Sequence, residues 1–221
     1  MHKLVLVFDF DNTLTAGDVL DEIVERFSPN EDWREWERDW AEGRLAARDC
    51  LRLQVENMRV DRSALFNYLL SVRVDPAFAA ILAWAKAHAV EAFIVSDSFV
   101  PLILHILANN AIQGVPVFAN DLAFSGDRLQ PGFPFHDPAF PRSANAKARH
   151  LAPYAGHTII FAGDGRSDLD AALVADIVFA KDSLATELTA RGVPFRPFQT
   201  LAPLLSFLEA LEPNCAQIKK R

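Results

Sequence analysis

Two carboxylates, Asp9 and Asp11, stand two residues apart in the stretch Phe8-Asp9-Phe10-Asp11-Asn12-Thr13-Leu14-Thr15. Residues i and i+2 at a strand end project to one side, where like charges repel. A cation or a chemical task for the pair offsets that repulsion, and Mg²⁺ suits hard carboxylate oxygens. A turn rich in Asp and Asn accounts for the composition, but not for the apolar run that feeds it. A second acidic pair, Asp164 and Asp168, lies in Phe161-Ala162-Gly163-Asp164-Gly165-Arg166-Ser167-Asp168. Gly163 and Gly165 permit the turns of a strand-to-helix junction. Asp168 also reads as an early-helix acid favoured by the dipole.

Two further residues bear on the same chemistry. Ser96, in Ile94-Val95-Ser96-Asp97-Ser98-Phe99, reads as a plain helix N-cap, or as a hydroxyl that binds phosphate oxygens together with free backbone N–H groups. Lys147 is the only lysine between Lys86 and Lys181, in a chain where arginine outnumbers lysine sixteen to six. A compact ammonium there would neutralise both a carboxylate cluster and a bound phosphate.

Each of these residues must be held by an element. Leu4–Phe8 is a continuous apolar run of the kind buried on both faces of a parallel sheet. Similar runs recur at Val90–Val95, Val115–Ala119, Thr158–Ala162 and Ile177–Ala180, separated by helical patterns at Pro76–Ala89, Val100–Asn110, Ala144–Leu151, Asp168–Val174 and Leu184–Arg191. This alternation predicts a doubly wound, mostly parallel α/β fold with its site at the carboxyl ends of the strands.

The alternation breaks over residues 16–74, which read as amphipathic helices inserted into a core made of residues 1–15 and 75–221. Between Ala16 and Val60 twelve acidic residues face seven arginines. Such an insertion reads as a lid over the sheet mouth or as a structural appendage. Trp33, Trp36 and Trp40 fall on one helical stripe, either packing or an apolar wall for a ligand. The pairs Glu22–Arg26, Glu31–Arg34 and Glu35–Arg38 read as a solvated, salt-bridged face. Residues 120–142 contain a hairpin turning at Ser125-Gly126-Asp127, then a Pro-rich stretch that is a flap or a surface loop.

The 221 residues carry 22 Lys plus Arg against 29 Asp plus Glu, a net charge of −7, with 51% hydrophobic residues. There is enough apolar material for a core, which excludes a disordered chain. The acidic balance argues against nucleic acid and anionic membrane partners, and Lys219-Lys220-Arg221 reads as a solvated end. Cys50 and Cys215 form neither a disulfide framework nor a metal spacing. No apolar run is long enough to span a bilayer, so the expectation is a soluble, cytoplasmic protein.

Four motifs in this order, each at a strand end, resemble the haloacid dehalogenase-like phosphohydrolase superfamily over nearly the whole chain, to about Leu208. Within it the chain resembles the phosphoserine phosphatase branch. It is similar to methionine-salvage phosphatases that act on 2-hydroxy-3-keto-5-methylthiopentenyl-1-phosphate, sharing the Gly-Asp-x-x-x-Asp motif and the Phe179-Ala180-Lys181-Asp182-Ser183-Leu184 segment. The resemblance implies a Rossmann-like core with a helical cap. It implies a Mg²⁺-dependent phosphatase of a small phosphate ester, acting through an aspartyl-phosphate intermediate. Asp9 would be the nucleophile and Asp11 the general acid and base, with Ser96 and Lys147 holding phosphoryl oxygens. Asp9, the Asp11 carbonyl and Asp164 would ligate Mg²⁺, with Asp168 in support.

Substrate choice would then fall to Asp18, Asp97 and Ser98. Where the family usually follows Ser96 with two glycines, this chain has Asp97 and Ser98. Gln54 stands where phosphoserine phosphatases place an arginine for the substrate carboxylate, while their cap acid corresponds to Asp18. Asp97 therefore reads as an acceptor for hydroxyl or amine groups, which favours a neutral, hydroxylated ester over phosphoserine. Phosphoserine phosphatase proper, a phosphotransferase and a silent phospho-ligand binder remain as alternatives. A receiver-like module is too short and lacks the insertion. A dehalogenase has no poor leaving oxygen for Asp11 to protonate.

Overall fold

The computed structural model describes residues 3–211, so Cys215 and the Lys219-Lys220-Arg221 end lie outside the described residues. Its centre is β1 (Leu4–Phe8), five apolar residues paired in parallel on both sides. The partners are β2 (Glu91–Phe99) and β5 (Thr158–Gly163), with Phe8 opposite Ile94 on one side and Ala162 on the other. Further out lie β3 (Val117–Ser125) and β4 (Arg128–Gly132) on one flank, and β6 (Ile177–Ala180) and the two-residue β7 (Arg196–Pro197) on the other. The order is β4-β3-β2-β1-β5-β6-β7, with only β3 and β4 antiparallel. The connection order reverses between β1 and β5, and at that point a crevice opens at the carboxyl ends of parallel strands.

Alternation along the strands serves two apolar layers. Leu6 and Phe8 join one core with α5 (Pro76–Ala87), α6 (Val100–Asn109) and α10 (Ala202–Leu211). Val5 and Val7 join the other with α7 (Lys147–Leu151), α8 (Leu169–Val174) and α9 (Asp182–Ala190). Near-continuous apolar runs in these strands follow from burial on both faces. The fold is therefore the doubly wound α/β architecture expected from the strand–helix alternation.

Between β1 and α5 the chain forms α1 (Val19–Phe27), α2 (Trp33–Ala41), α3 (Ala47–Asn57) and α4 (Arg62–Leu69). It leaves and returns at adjacent points, where Thr15 and Val74 form an antiparallel bridge. Aspartates start two of these helices and the one that follows: Asp18 accepts the Asp21 N–H in α1, Asp61 that of Ala64 in α4, and Asp75 that of Ala77 beside Pro76 in α5. These satisfy donors that a first turn otherwise leaves unpaired. The apolar stripe of the insertion, including Ile23, Val55 and Leu65, continues the first core layer. On its polar face Glu31 pairs with Arg34 as expected, but Glu22 accepts from the Tyr68 hydroxyl while Arg26 lies over the Tyr68 ring.

Three local expectations are corrected. Strand β2 runs through Ser96-Asp97-Ser98 to Phe99 with an irregular register, so Ser96 is not a helix N-cap; α6 starts at Val100. The run at Val115–Ala119 and the hairpin are one feature, because β3 continues from the parallel sheet into the antiparallel pair with β4. Gly126, at φ +62°, takes the turn position that glycine tolerates. The helix read from Ala144 begins only at Lys147. Residues 120–142 brace the insertion: the Val60 N–H donates to the Asp127 carbonyl, and the Ala47 N–H to that of Pro141, both at 2.9 Å. No helix among the described residues is long and apolar enough to cross a membrane.

Candidate active site

Asp9 follows β1 directly, and its N–H extends the sheet by one bond to the Ala162 carbonyl at 2.9 Å. Two residues beyond Val7, it faces the layer that contains α7. Lys147, the first residue of α7, is 2% exposed and reaches both Asp9 Oδ1 at 2.8 Å and Asp168 Oδ1 at 2.6 Å. Burial alone would lower the lysine's pKa, but Asp168 and Asp9 together outweigh it and hold the group well above its ordinary value. The other Asp168 oxygen accepts the N–H groups of Asp164 (3.0 Å) and Gly165 (2.9 Å), fixing the turn after β5.

That turn presents Asp164, whose two oxygens accept from Asn12 Nδ2 at 2.8 Å and Thr13 Oγ1 at 3.0 Å. Asn12, at φ +49°, sits in the left-handed region that asparagine tolerates, which lets the chain double back there. Carboxylate oxygens of Asp9, Asp164 and Asp168 all lie within 4.8 Å of one another. Burial first, then Asp168, raises the pKa of Asp9; the same two causes bring Asp164 to about 6. One ammonium does not balance three carboxylates, and a divalent cation with a preference for hard oxygens fits this donor set.

Asp11 is also buried, its pKa raised by burial and then by Asp18, and partly lowered by a hydrogen bond from the Ser98 hydroxyl. Its Oδ1 has no hydrogen-bond partner among the described residues. Ser96 is 1% exposed, with its Oγ accepting the Ser98 N–H at 3.0 Å. Asp9, Asp11, Asp18, Ser96, Asp97, Ser98, Lys147 and Asp164 all border one cavity of about 140 Å³, a volume on the scale of a small metabolite.

Much of the remaining wall of that cavity comes from the insertion. Asp21 and Glu37 repel each other there: burial and Glu37 bring Asp21 to about 6, as burial and Asp21 do for Asp18. Glu37 accepts from Gln54 Nε2 at 3.0 Å and from the Cys50 thiol, itself pushed up to about 12 by burial and Glu37. Trp40 borders the cavity, whereas Trp33 packs on the core, so the tryptophan stripe divides between the two readings. Among the described residues the only cations lining the cavity are Lys147 and Arg166, and Arg166 donates to the Ala41 carbonyl. Asp21 and Glu37 were not expected in the site, since one helical face looks solvated until its neighbour is known.

Asp97 is corrected. Its carboxylate turns to the loop before α7, accepting from Ser143 Oγ (2.6 Å) and the N–H groups of Ala144 (2.9 Å) and Asn145 (3.0 Å). Three donors tie this half-buried group to the protein.

The model of haloacid dehalogenase-like hydrolases matches residues 6–173. The chain belongs to this family. A 2-hydroxy-3-keto-5-methylthiopentenyl-1-phosphate phosphatase of Exiguobacterium sibiricum is 26% identical over 217 residues, covering 94% of this chain and 97% of the relative. A polyol phosphate phosphatase of Saccharomyces cerevisiae is 25% identical over 229 residues, covering 95% and 94%. Among solved structures, a phospho-aspartyl intermediate analogue of phosphoserine phosphatase superposes with a TM-score of 0.70 at 19% identity, covering 94% of this chain and 99% of the other. The family and its phosphatase relatives make this hydrolase a phosphatase.

Among the glycines of this hydrolase the tightest steric constraint is at Gly163. A Cβ there would lie 2.6 Å from Asp168 Oδ2 and 2.8 Å from the Phe161 ring. Gly163→Ala must displace the Asp168 carboxylate, with loss of its two N–H bonds. Denaturant unfolding should show a stability loss of about 1–3 kcal/mol, accompanied by reduced turnover; wild-type values of both would contradict the packing described.

Proposed function

We propose that the protein is a Mg²⁺-dependent phosphatase of small phosphorylated metabolites that works through an aspartyl-phosphate on Asp9, with residues 16–74 acting as a cap. The observation that carries this reading is the placement of Asp9, oriented by Lys147, beside Asp11 with its unpartnered oxygen, in a cavity lined in part by the insertion. Asp9, Asp164 and the Asp11 carbonyl would hold Mg²⁺, with Asp168 in support. When bound, the ion neutralises charge so that an anionic ester can approach the carboxylates.

In the first step an Asp9 oxygen bonds to phosphorus, the ester P–O bond breaks, and Asp11 gives its proton to the leaving oxygen. In the second, Asp11 takes a proton from water, whose oxygen attacks the same phosphorus and releases phosphate and the Asp9 carboxylate. Lys147 and Ser96 hold the transferring oxygens, since phosphoryl transfer depends chiefly on positioning and charge stabilisation. Asp9→Asn should lower turnover by several orders of magnitude. Asp11→Asn should keep more activity on an ester whose leaving group needs no proton. Equal losses in both variants on such an ester would refute the division of roles. Chelation should abolish turnover and Mg²⁺ restore it, whereas full turnover in excess chelator would refute the metal requirement.

The cavity wall also speaks to substrate. Asp18, Asp21 and Glu37 oppose a leaving group that carries a carboxylate, and Gln54 offers no bidentate cation for one. A neutral, hydroxylated ester such as glycerol phosphate should therefore show a higher kcat/KM than phosphoserine, and Glu37→Gln should narrow the ratio. A wild-type preference for phosphoserine would overturn this selection.

A further inference from the structure

We propose that Asp97 is a positioning residue of the phosphoryl site, tying the strand that carries Ser96 to the turn that aims Lys147. The inference rests on reading Ser96 and Lys147 as the groups that hold phosphoryl oxygens. Helix α7 has only five residues, and no side chain caps its start at Ala146. A helix that short is not self-supporting. The direction of its first residue must therefore be set by what precedes it. Residues 143–146 are buried, so their backbone donors need partners inside the protein. Asp97 supplies them for Ala144 and Asn145, and binds the Ser143 hydroxyl as well.

The clamp is completed from the other side. Asn145, fully buried, donates through Nδ2 to the carbonyls of Ser96 (2.9 Å) and Phe118 (2.8 Å), while His150 Nε2 lies 2.8 Å from its Oδ1. Asn120 Nδ2 donates to the Asp97 carbonyl at 2.6 Å. Strand β2, strand β3 and the loop before α7 thus meet at one polar knot, two residues from Lys147 and one from Ser96. A carboxylate at 97 can accept from three donors at once, which a glycine there cannot do.

The test compares Asp97→Ala, Asp97→Asn and Leu208→Ala with wild type on 4-nitrophenyl phosphate, with amide hydrogen exchange on the same proteins. Asp97→Ala should lower kcat on the order of 100-fold, the scale of a misplacement of about 1 Å, with a much smaller change in KM. Asp97→Asn keeps the Oδ1 acceptor for Ser143 and Asn145 and should recover most of the loss. Leu208→Ala opens a cavity in α10 and lowers stability, yet should leave kcat unchanged. In exchange, the Ala144 and Asn145 amides should lose protection in Asp97→Ala. Unchanged kcat or unchanged protection in Asp97→Ala would overturn the proposal, as would an equal kcat loss in Leu208→Ala. Absence of hydrolysis by wild type would refute the phosphatase reading instead, and the exchange result would still decide the clamp.

Discussion

The site depends on one buried ammonium. Lys147 bonds Asp9 and Asp168 in a place where a lone charge of either sign would be unstable. Coulomb attraction in a desolvated setting decides the outcome, since the lysine's pKa rises although burial opposes it. Around that contact the other parts find their places. Asp168 fixes the turn that presents Asp164, and Gly163 leaves room for its carboxylate. The central position of β1 brings Asp9 to the same point from the opposite end of the chain.

The remaining negative charge gives the site its chemistry. Asp9, Asp11 and Asp164 are all held above the ordinary carboxylate range by burial first, and then by Asp168 for Asp9 and Asp164 and by Asp18 for Asp11. Such a cluster is costly for folding and suits a cation followed by an anion. The insertion adds Asp18, Asp21 and Glu37 on the far wall, so the charge pattern extends from the reacting centre to the region that would meet the leaving group. Hydrogen bonds from the insertion to the 120–142 stretch hold that wall in place.

Much of this was legible in the sequence where a residue's neighbours are local. Leu4–Phe8 reads as a central strand because burial on both faces leaves no polar position, and the acidic pairs stand out because each follows such a run. Ser96 to Ser98 read as a helix start because polar residues end an apolar run; the polar knot with Asn120 and Asn145 keeps them in β2 instead. The same knot delays α7 to Lys147 and ties the Asp97 carboxylate to the loop before it. Partners 46 to 49 residues away leave no periodic trace. Glu37 was hidden for a similar reason: only the packing of α2 against α3 shows that Gln54 and Cys50 turn it inward.

The central claim is that the chain itself accepts the phosphoryl group at the end of its first strand. Rapid acid quench of the enzyme mixing with a phosphate ester, followed by peptide mapping with mass spectrometry, measures this directly. The account predicts an acid-stable, base-labile phosphoryl group on Asp9, present within the first turnover. Turnover with no phosphorylated peptide, or with the group on any other residue, would contradict it.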